Sequence, residues 1–432
     1  MDLVLVAVIG IIIMLILIFS GANIGLCMFI VGFLGYAYVR NWDGAMSMLK
    51  TYTVSSSMSY TMTVIPLFVL MGQFAFHSGI SDDLFRSSRV WFGKRRGALA
   101  HASVMACALF GAICGSLSAT TATMSRVAKP IMKEHGYKDE VIGGTLACAG
   151  SLGTLIPPST PFILYGIMAE VSIGSLFAAG VMPGILMALC FMGVIYVWGR
   201  IDKTAIPAGE SYSLKEKLKS LRGFLGMLVL FGLVLGGMFS GLFSVTEAAA
   251  IGAVAAFLIM VIRKRFNWKG FKESMQDTIV TVGMVMLNIV GASVFGCFLT
   301  VTNLPTELAV WIKSLSVSPV VIVFIIILIY GIMGCIMDTL ALILLSIPIF
   351  MPVIKMFGLD PVWFGVILVM IMNLGAITPP VGLSCYVASG VTEIPLNKVF
   401  KGAMPFLLAF LISFIIAVLF PGLSLWLPSL TR

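Results

Sequence analysis

Apolar residues fill this chain in long blocks parted by short polar stretches, a pattern with neither the alternation of strands nor the one-sided stripe of soluble helices. Ten blocks are long enough to cross a bilayer: 3–19, 24–39, 58–76, 141–170, 176–198, 224–241, 244–262, 278–302, 361–391 and 403–422. Two further stretches, 98–132 and 318–354, each hold two helical limbs around an interruption, GSLSATTAT at 115–123 and GCIMD at 334–338. Both are predicted to be re-entrant helical hairpins.

An internal repeat organises these blocks. LGTLIPPS at 152–159 returns as LGAITPPV at 374–381. The same offset pairs Pro130 with Pro352, Gly143 with Gly365 and Met182-Pro183 with Met404-Pro405. Each copy has five crossings and one hairpin, and an odd number of crossings inverts the second copy. The expected fold is therefore an all-α polytopic membrane protein with an inverted-topology repeat. Its parts are 1–198 with hairpin 98–132, a linker at 199–223, and 224–432 with hairpin 318–354.

Composition agrees with this reading. Of 432 residues, 60% are hydrophobic and 10% charged, against roughly 25% charged in soluble domains, which excludes an ordinary soluble enzyme. The net charge of +9 forms no basic face with interleaved aromatics, so no nucleic-acid partner is expected. The cations report topology instead. Loops 77–97, 133–140, 199–223, 263–273 and 393–401 share one predicted face and carry 20 of the 27 Lys and Arg; Arg40, Lys50, Lys313, Lys355 and Arg432 lie on the other, and Arg126 and Lys129 on the first hairpin. The positive-inside rule places the rich face in the cytoplasm and both termini in the periplasm. Eight cysteines are scattered singly without CxxC pairs, and no phosphate-binding loop motif occurs. The N-terminal MDLVLVAV lacks the positive region of a signal peptide, so 3–19 is expected to be retained.

The candidate chemistry lies at the breaks. Segments 141–170 and 361–391 carry Gly153 and Gly375 and the pairs Pro157-Pro158 and Pro379-Pro380 near their middles. Proline removes backbone donors and forces the preceding residue out of the helix. Carbonyls freed in a medium without water need a partner, and a desolvated sodium ion supplies one. Ser116, Ser118, Thr120, Thr121 and Thr123 at the first hairpin tip, and Gly334, Asp338 and Thr339 at the second, add oxygen ligands or turns. Alternatively, such hydroxyls bond back to helix carbonyls, and Asp338 caps the limb that follows. An intramembrane carboxylate is otherwise a functional candidate. Arg126 and Lys129 either attract an anion or snorkel to the surface.

With both hairpins and both LGTLIPPS-like turns in view, the sequence resembles the large membrane subunit of the tripartite ATP-independent periplasmic (TRAP) transporters. Its most specific segments are FGAICGSLSATTATMSRVAKPIMKEHGY at 110–137, GSLGTLIPPSTPFILYG at 150–166, YGIMGCIMDTLALILLSIPIFMPV at 330–353 and NLGAITPPVGLSCYVASG at 373–390. The resemblance implies a sodium-driven inner-membrane importer of organic anions, carboxylates or acidic sugars such as sialic acid, working as an elevator. It implies a soluble periplasmic binding protein and a small four-helix membrane subunit as partners, the latter expected on a separate polypeptide, with lipid around them. Carried over by motif, one sodium site is expected at Ser116, Ser118, Gly153, Thr154 and Pro157. The second is expected at Gly334, Asp338, Gly375 and Thr378. Thr120, Thr121, Ser159, Asn288, Ser293 and Asn373 are candidate substrate contacts. No arginine is expected to face the tips, leaving the substrate carboxylate on hydroxyls, amides and helix N-termini.

Two other transport classes compete: a sodium/dicarboxylate or citrate symporter that needs no binding protein, and an ion channel. No catalytic constellation is present to suggest an enzyme.

Overall fold

The computed structural model describes residues 2–314 and 319–430, and those residues form helices joined by turns and loops, with one isolated bridge between Arg96 and Ala208. Ten helical bodies occupy the predicted crossings. They are Leu3–Phe19, Ile24–Val39, Tyr60–His77, Asp139–Ala169, Ile173–Ile201, Leu214–Phe239, Val245–Ile262, Trp268–Val301, the pair Pro361–Ile377 and Leu383–Thr392, and Leu396–Leu419. Helices Trp42–Ser57, Ile80–Phe92 and Leu304–Ser314 lie outside the predicted segments, because their mixed polar and apolar residues hide them from a search for continuous hydrophobicity.

The first hairpin consists of Ala98–Cys114 and Leu117–Glu134, two residues longer than predicted. The second consists of Pro319–Gly334 and Thr339–Met356; its predicted first residue, 318, lies outside the described residues, as does Arg432 of the charge count. Each hairpin returns to the side it left. At the feet of the first, the Gly97 amide donates to the Pro207 carbonyl at 3.1 Å, the Lys138 amide to Ala205 at 3.3 Å, and the Leu99 amide to the Tyr137 hydroxyl at 3.2 Å. In the second, Val323 and Phe324 line the same cavity as Gly358, Leu359 and Asp360.

The five Lys/Arg-rich loops meet on one face, as their charges predict. Ion pairs tie Arg89 to Glu210 at 2.9 Å, Lys138 to Asp202 at 2.8 Å, Lys398 to Asp139 at 2.8 Å, and Arg263 to Asp83 at 2.5 Å, while His135 sits 3.3 Å from Glu210. Hydrogen bonds from Tyr212, His135 and Arg89 hold the Glu210 carboxyl well below its usual range. A depressed carboxylate stabilises the folded state above its unfolded pKa and loses that contribution as the pH falls through the folded one. The Glu210 contacts to the linker therefore hold at neutral pH and weaken only in strong acid.

The core is formed by the interrupted helices. In Asp139–Ala169, 94% of the most apolar window is buried, against 39–61% in the other long helices. Small residues let backbones approach there: a side chain on Gly144 would collide with the Gly402 backbone. The outer helices keep exposed apolar surfaces, such as Ile12, Ile16 and Ile279.

Candidate functional site

Both breaks form where the prolines predict. The first interrupted helix runs Asp139–Gly150, turns through Leu152–Leu155, extends across the cis Pro157-Pro158 bond and resumes at Thr160–Ala169. The second runs Pro361–Ile377, crosses cis Pro379-Pro380 and resumes at Leu383–Thr392. Because Pro157 has no N–H, the Gly153 carbonyl loses its intrahelical donor. The Thr154 carbonyl is instead capped by the Ser159 hydroxyl, which also receives the Phe162 amide at 3.5 Å.

Each hairpin tip docks onto a break. The Gly115 carbonyl accepts from the Thr160 amide at 3.1 Å, and Gly115 itself takes the left-handed conformation, φ +64°, that turns the chain between limbs. Limb and turn cross at paired glycines, Gly111 on Gly153 and Gly334 on Gly375, so closely that a Cβ on Gly111 or Gly375 would strike the opposing backbone. Ser116 and Asp338 hold matching positions as N-caps of the two exit limbs, accepting from Ala119 at 3.4 Å and Leu340 at 3.1 Å. Capping, an alternative reading of Asp338, is therefore real, and the same residue also lines the cavity described next.

That cavity, about 280 Å³, lies between the two tips, the resumed halves of the interrupted helices, and the helices Tyr60–His77 and Trp268–Val301. Ser116, Ser118, Thr123, Thr154, Asp338 and Thr339 line it among the predicted residues. Gly153, Pro157, Gly334, Gly375 and Thr378 shape the breaks beside it. Thr378 is extended at ψ 140°, with its hydroxyl donating to the Leu374 carbonyl at 2.7 Å.

Several predicted substrate contacts fall elsewhere. Thr120 is fully buried against Gly153, and its hydroxyl faces the Cys114 thiol without an oxygen or nitrogen partner among the described residues. Thr121 bonds Ser384 at 3.1 Å, which in turn donates to the Ala147 carbonyl at 2.6 Å. Ser159 is consumed by capping across the break. Asn373 accepts from Thr154 at 2.9 Å, joining the two interrupted helices, while its amide nitrogen is left without a partner. Asn288 and Ser293 lie outside the cavity altogether. Asn288 packs on Gly25, and Ser293 bonds Ser56 at 3.0 Å; their side of Trp268–Val301 meets neighbouring helices instead of the cavity.

The residues that this helix does present to the cavity are Asp277 and Thr281, about two to four turns nearer the charged face. Arg126 also lines the cavity, against the expectation that no arginine would face the tips. It lies ten residues beyond Ser116, about 15 Å along the exit limb. On the same limb Lys129 and Lys133 pair with Glu393 and Asp139, but Arg126 forms no ion pair among the described residues. The spacing Ser118, Ala122, Arg126 would have placed all three on one helical face; knowing that this face meets the cavity required the fold.

A family profile described as "Tripartite ATP-independent periplasmic transporter, DctM component" matches residues 11–423. The chain is 38% identical over 375 residues to the C4-dicarboxylate TRAP transporter large permease protein DctM of Pseudomonas aeruginosa, covering 87% of each chain. It is 32% identical over 417 residues to the sialic acid TRAP transporter large permease protein SiaM of Vibrio cholerae, covering 96% of each. In overall fold it is similar to the YdaH transporter of Alcanivorax borkumensis, with a TM-score of 0.67 at 17% identity over 89% of this chain and 90% of that one. The paired hairpins, the paired Pro-Pro breaks and these matches have one consequence: the chain belongs to the large-permease family of the tripartite ATP-independent periplasmic transporters.

Proposed function

We propose that this permease is a sodium-coupled importer of small organic anions, fed by a periplasmic binding protein and assembled with a small four-helix membrane subunit. The observation that carries the reading is the oxygen-lined cavity between two docked hairpin tips and two helix breaks, with Asp338 in its wall. Relatives named for C4-dicarboxylates and sialic acid support an anionic cargo. With the Lys/Arg-rich face in the cytoplasm, both termini lie in the periplasm and the cavity opens inward past Arg126 and Asp277.

The donor set suits sodium. Hydroxyls, carbonyls and a carboxylate are the ligands that hard cations take. The Thr120 hydroxyl, buried against Gly153 and without an oxygen or nitrogen partner among the described residues, is a polar group that an ion would satisfy. One site would use Ser116, Ser118, Thr120 and the turn from Gly153 to Pro157. The other would use Asp338, Gly334 and the turn at Gly375 to Thr378. In the mechanism, these residues bind and orient: the tips hold the cargo against the breaks, the glycine crossings keep tip and break together, and hairpins and breaks travel as one elevator body against the outer helices. One charge moved through 100 mV is worth about 2.3 kcal/mol, and a tenfold gradient adds about 1.4. Two sodium ions therefore exceed the electrical cost of a monoanion.

Uptake should depend on sodium when proteoliposomes contain the permease, its small subunit and the cognate binding protein. Equal uptake in potassium would refute the coupling, and uptake without the binding protein would select the autonomous symporter. Thr120→Val keeps the shape of the side chain and removes the hydroxyl. It should leave stability within about 1 kcal/mol but raise the sodium half-saturation concentration several-fold; an unchanged sodium curve would assign Thr120 to packing alone. Arg126→Gln should raise the half-saturation for anionic cargo by about tenfold at low salt, an effect that shrinks as ionic strength rises. Loss of uptake independent of salt and cargo concentration would show a structural role instead.

A further inference from the structure

A second cavity lies at the foot of the first hairpin, about 540 Å³ in volume, between that foot and the charged end of Ile173–Ile201. Arg95, Arg96 and Arg200 line it together with Phe92, His101 and Tyr196, and no Asp or Glu does. Two other arginines on this face, Arg89 and Arg263, pair with Glu210 and Asp83. Here Arg96 donates one bond to the Lys203 carbonyl at 3.1 Å, and Arg200 one to the Tyr196 hydroxyl at 2.7 Å while stacking 5.0 Å above that ring. Arg95 has no side-chain hydrogen bond or ion pair among the described residues. Each guanidinium carries five donors, so most of the cavity's donors remain unspent. His101, 7% exposed and stacked on Phe92, has an Nδ1 atom without a partner.

Three clustered cations without a carboxylate call for an anion that offers several oxygens. The neighbouring surface identifies its source. Leu189, Gly193, Tyr196 and Arg200 fall on one stripe of Ile173–Ile201, and Leu189, Tyr196, Val197 and Ile201 are 54–79% exposed. At Gly193 a Cβ would meet nothing within 4 Å, so the stripe is uncovered there. An anion held by the arginines and continuing along that stripe has an apolar tail. We propose that this cavity binds the phosphate head group of an anionic phospholipid, with its acyl chains lying along Leu189 and Tyr196. Basic pockets between membrane helices recognise such head groups. The lipid would bridge the entering foot of the first hairpin and the adjacent span. The proposal does not depend on which ion or cargo the central cavity takes.

The test uses the full-length chain with its small subunit, purified in detergent and titrated with phosphatidylglycerol or with phosphatidylcholine of the same acyl chains. Retained lipid is read by native mass spectrometry, and protection by the thermal-unfolding midpoint. Phosphatidylglycerol should be retained at least tenfold better than phosphatidylcholine. Arg95→Gln and Arg200→Gln should each reduce that preference several-fold, whereas Lys269→Gln, on the same face but outside the cavity, should not. Arg95→Lys, which keeps the charge, should preserve most of it and guards against misfolding as the cause. Equal retention of the two lipids, or undiminished preference in both glutamine variants, overturns the proposal. So does full protection by inorganic phosphate alone, which would make the site one for a free anion.

Discussion

Replacing Asp338 with asparagine is expected to abolish sodium-driven uptake while leaving the protein folded. The side chain does two jobs, and this substitution separates them. As an N-cap it accepts the Leu340 amide at 3.1 Å, and asparagine caps a helix about as well as aspartate, so the exit limb Thr339–Met356 should persist. What disappears is the formal charge in the cavity wall. A carboxylate and a monovalent cation about 4 Å apart attract by about 4 kcal/mol at an effective dielectric constant of 20, which corresponds to two to three orders of magnitude in ion affinity. Uptake measured against sodium concentration should collapse across the accessible range, with an unfolding midpoint close to that of the unmodified protein. Asp338→Ala should show the same functional loss with an additional penalty of about 1 kcal/mol from the missing cap. An asparagine variant with the original sodium half-saturation would remove Asp338 from the coupling machinery and leave it only as a cap.

Gly153→Val should have an equally large effect for a different reason. A Cβ at this position meets the Thr120 hydroxyl at 2.5 Å and the Gly111 Cα at 3.1 Å, both on the first hairpin. Limb and turn would have to separate, and overpacking of a dense interior costs about 1–3 kcal/mol or more. The separation also destroys the docking of tip on break that forms the cavity. Transport should fall to background, with a lowered melting temperature, and Gly111→Val should reproduce both losses from the opposite side. The control is Gly283→Ala, where nothing lies within 4 Å of the added atom and a helix gains slightly from the change. Full activity in Gly153→Val would mean that the crossing does not hold the site together.

The breaks and tips were legible in the sequence because their causes are local: proline without an N–H, a left-handed glycine, and a hydroxyl or carboxylate before a new helix. The hairpins followed from polar interruptions, and the grouping of loops from their cations. Trp42–Ser57 and Ile80–Phe92 escaped because an interfacial helix needs only one apolar face. The substrate contacts were harder to read. A polar residue within a span can face a cavity, a neighbouring helix or its own backbone, and Asn288, Ser293 and Ser159 take the second and third choices. The sequence leaves Arg126 two roles, snorkelling and anion attraction, and it is the packing around its limb that places it in the cavity wall.

The bond from Thr154 to Asn373 and the relay from Thr121 through Ser384 to Ala147 rivet the two interrupted helices to each other beside their breaks. Neither broken segment can shift without stretching a buried polar bond to the other, so a displacement at one break is felt at its counterpart.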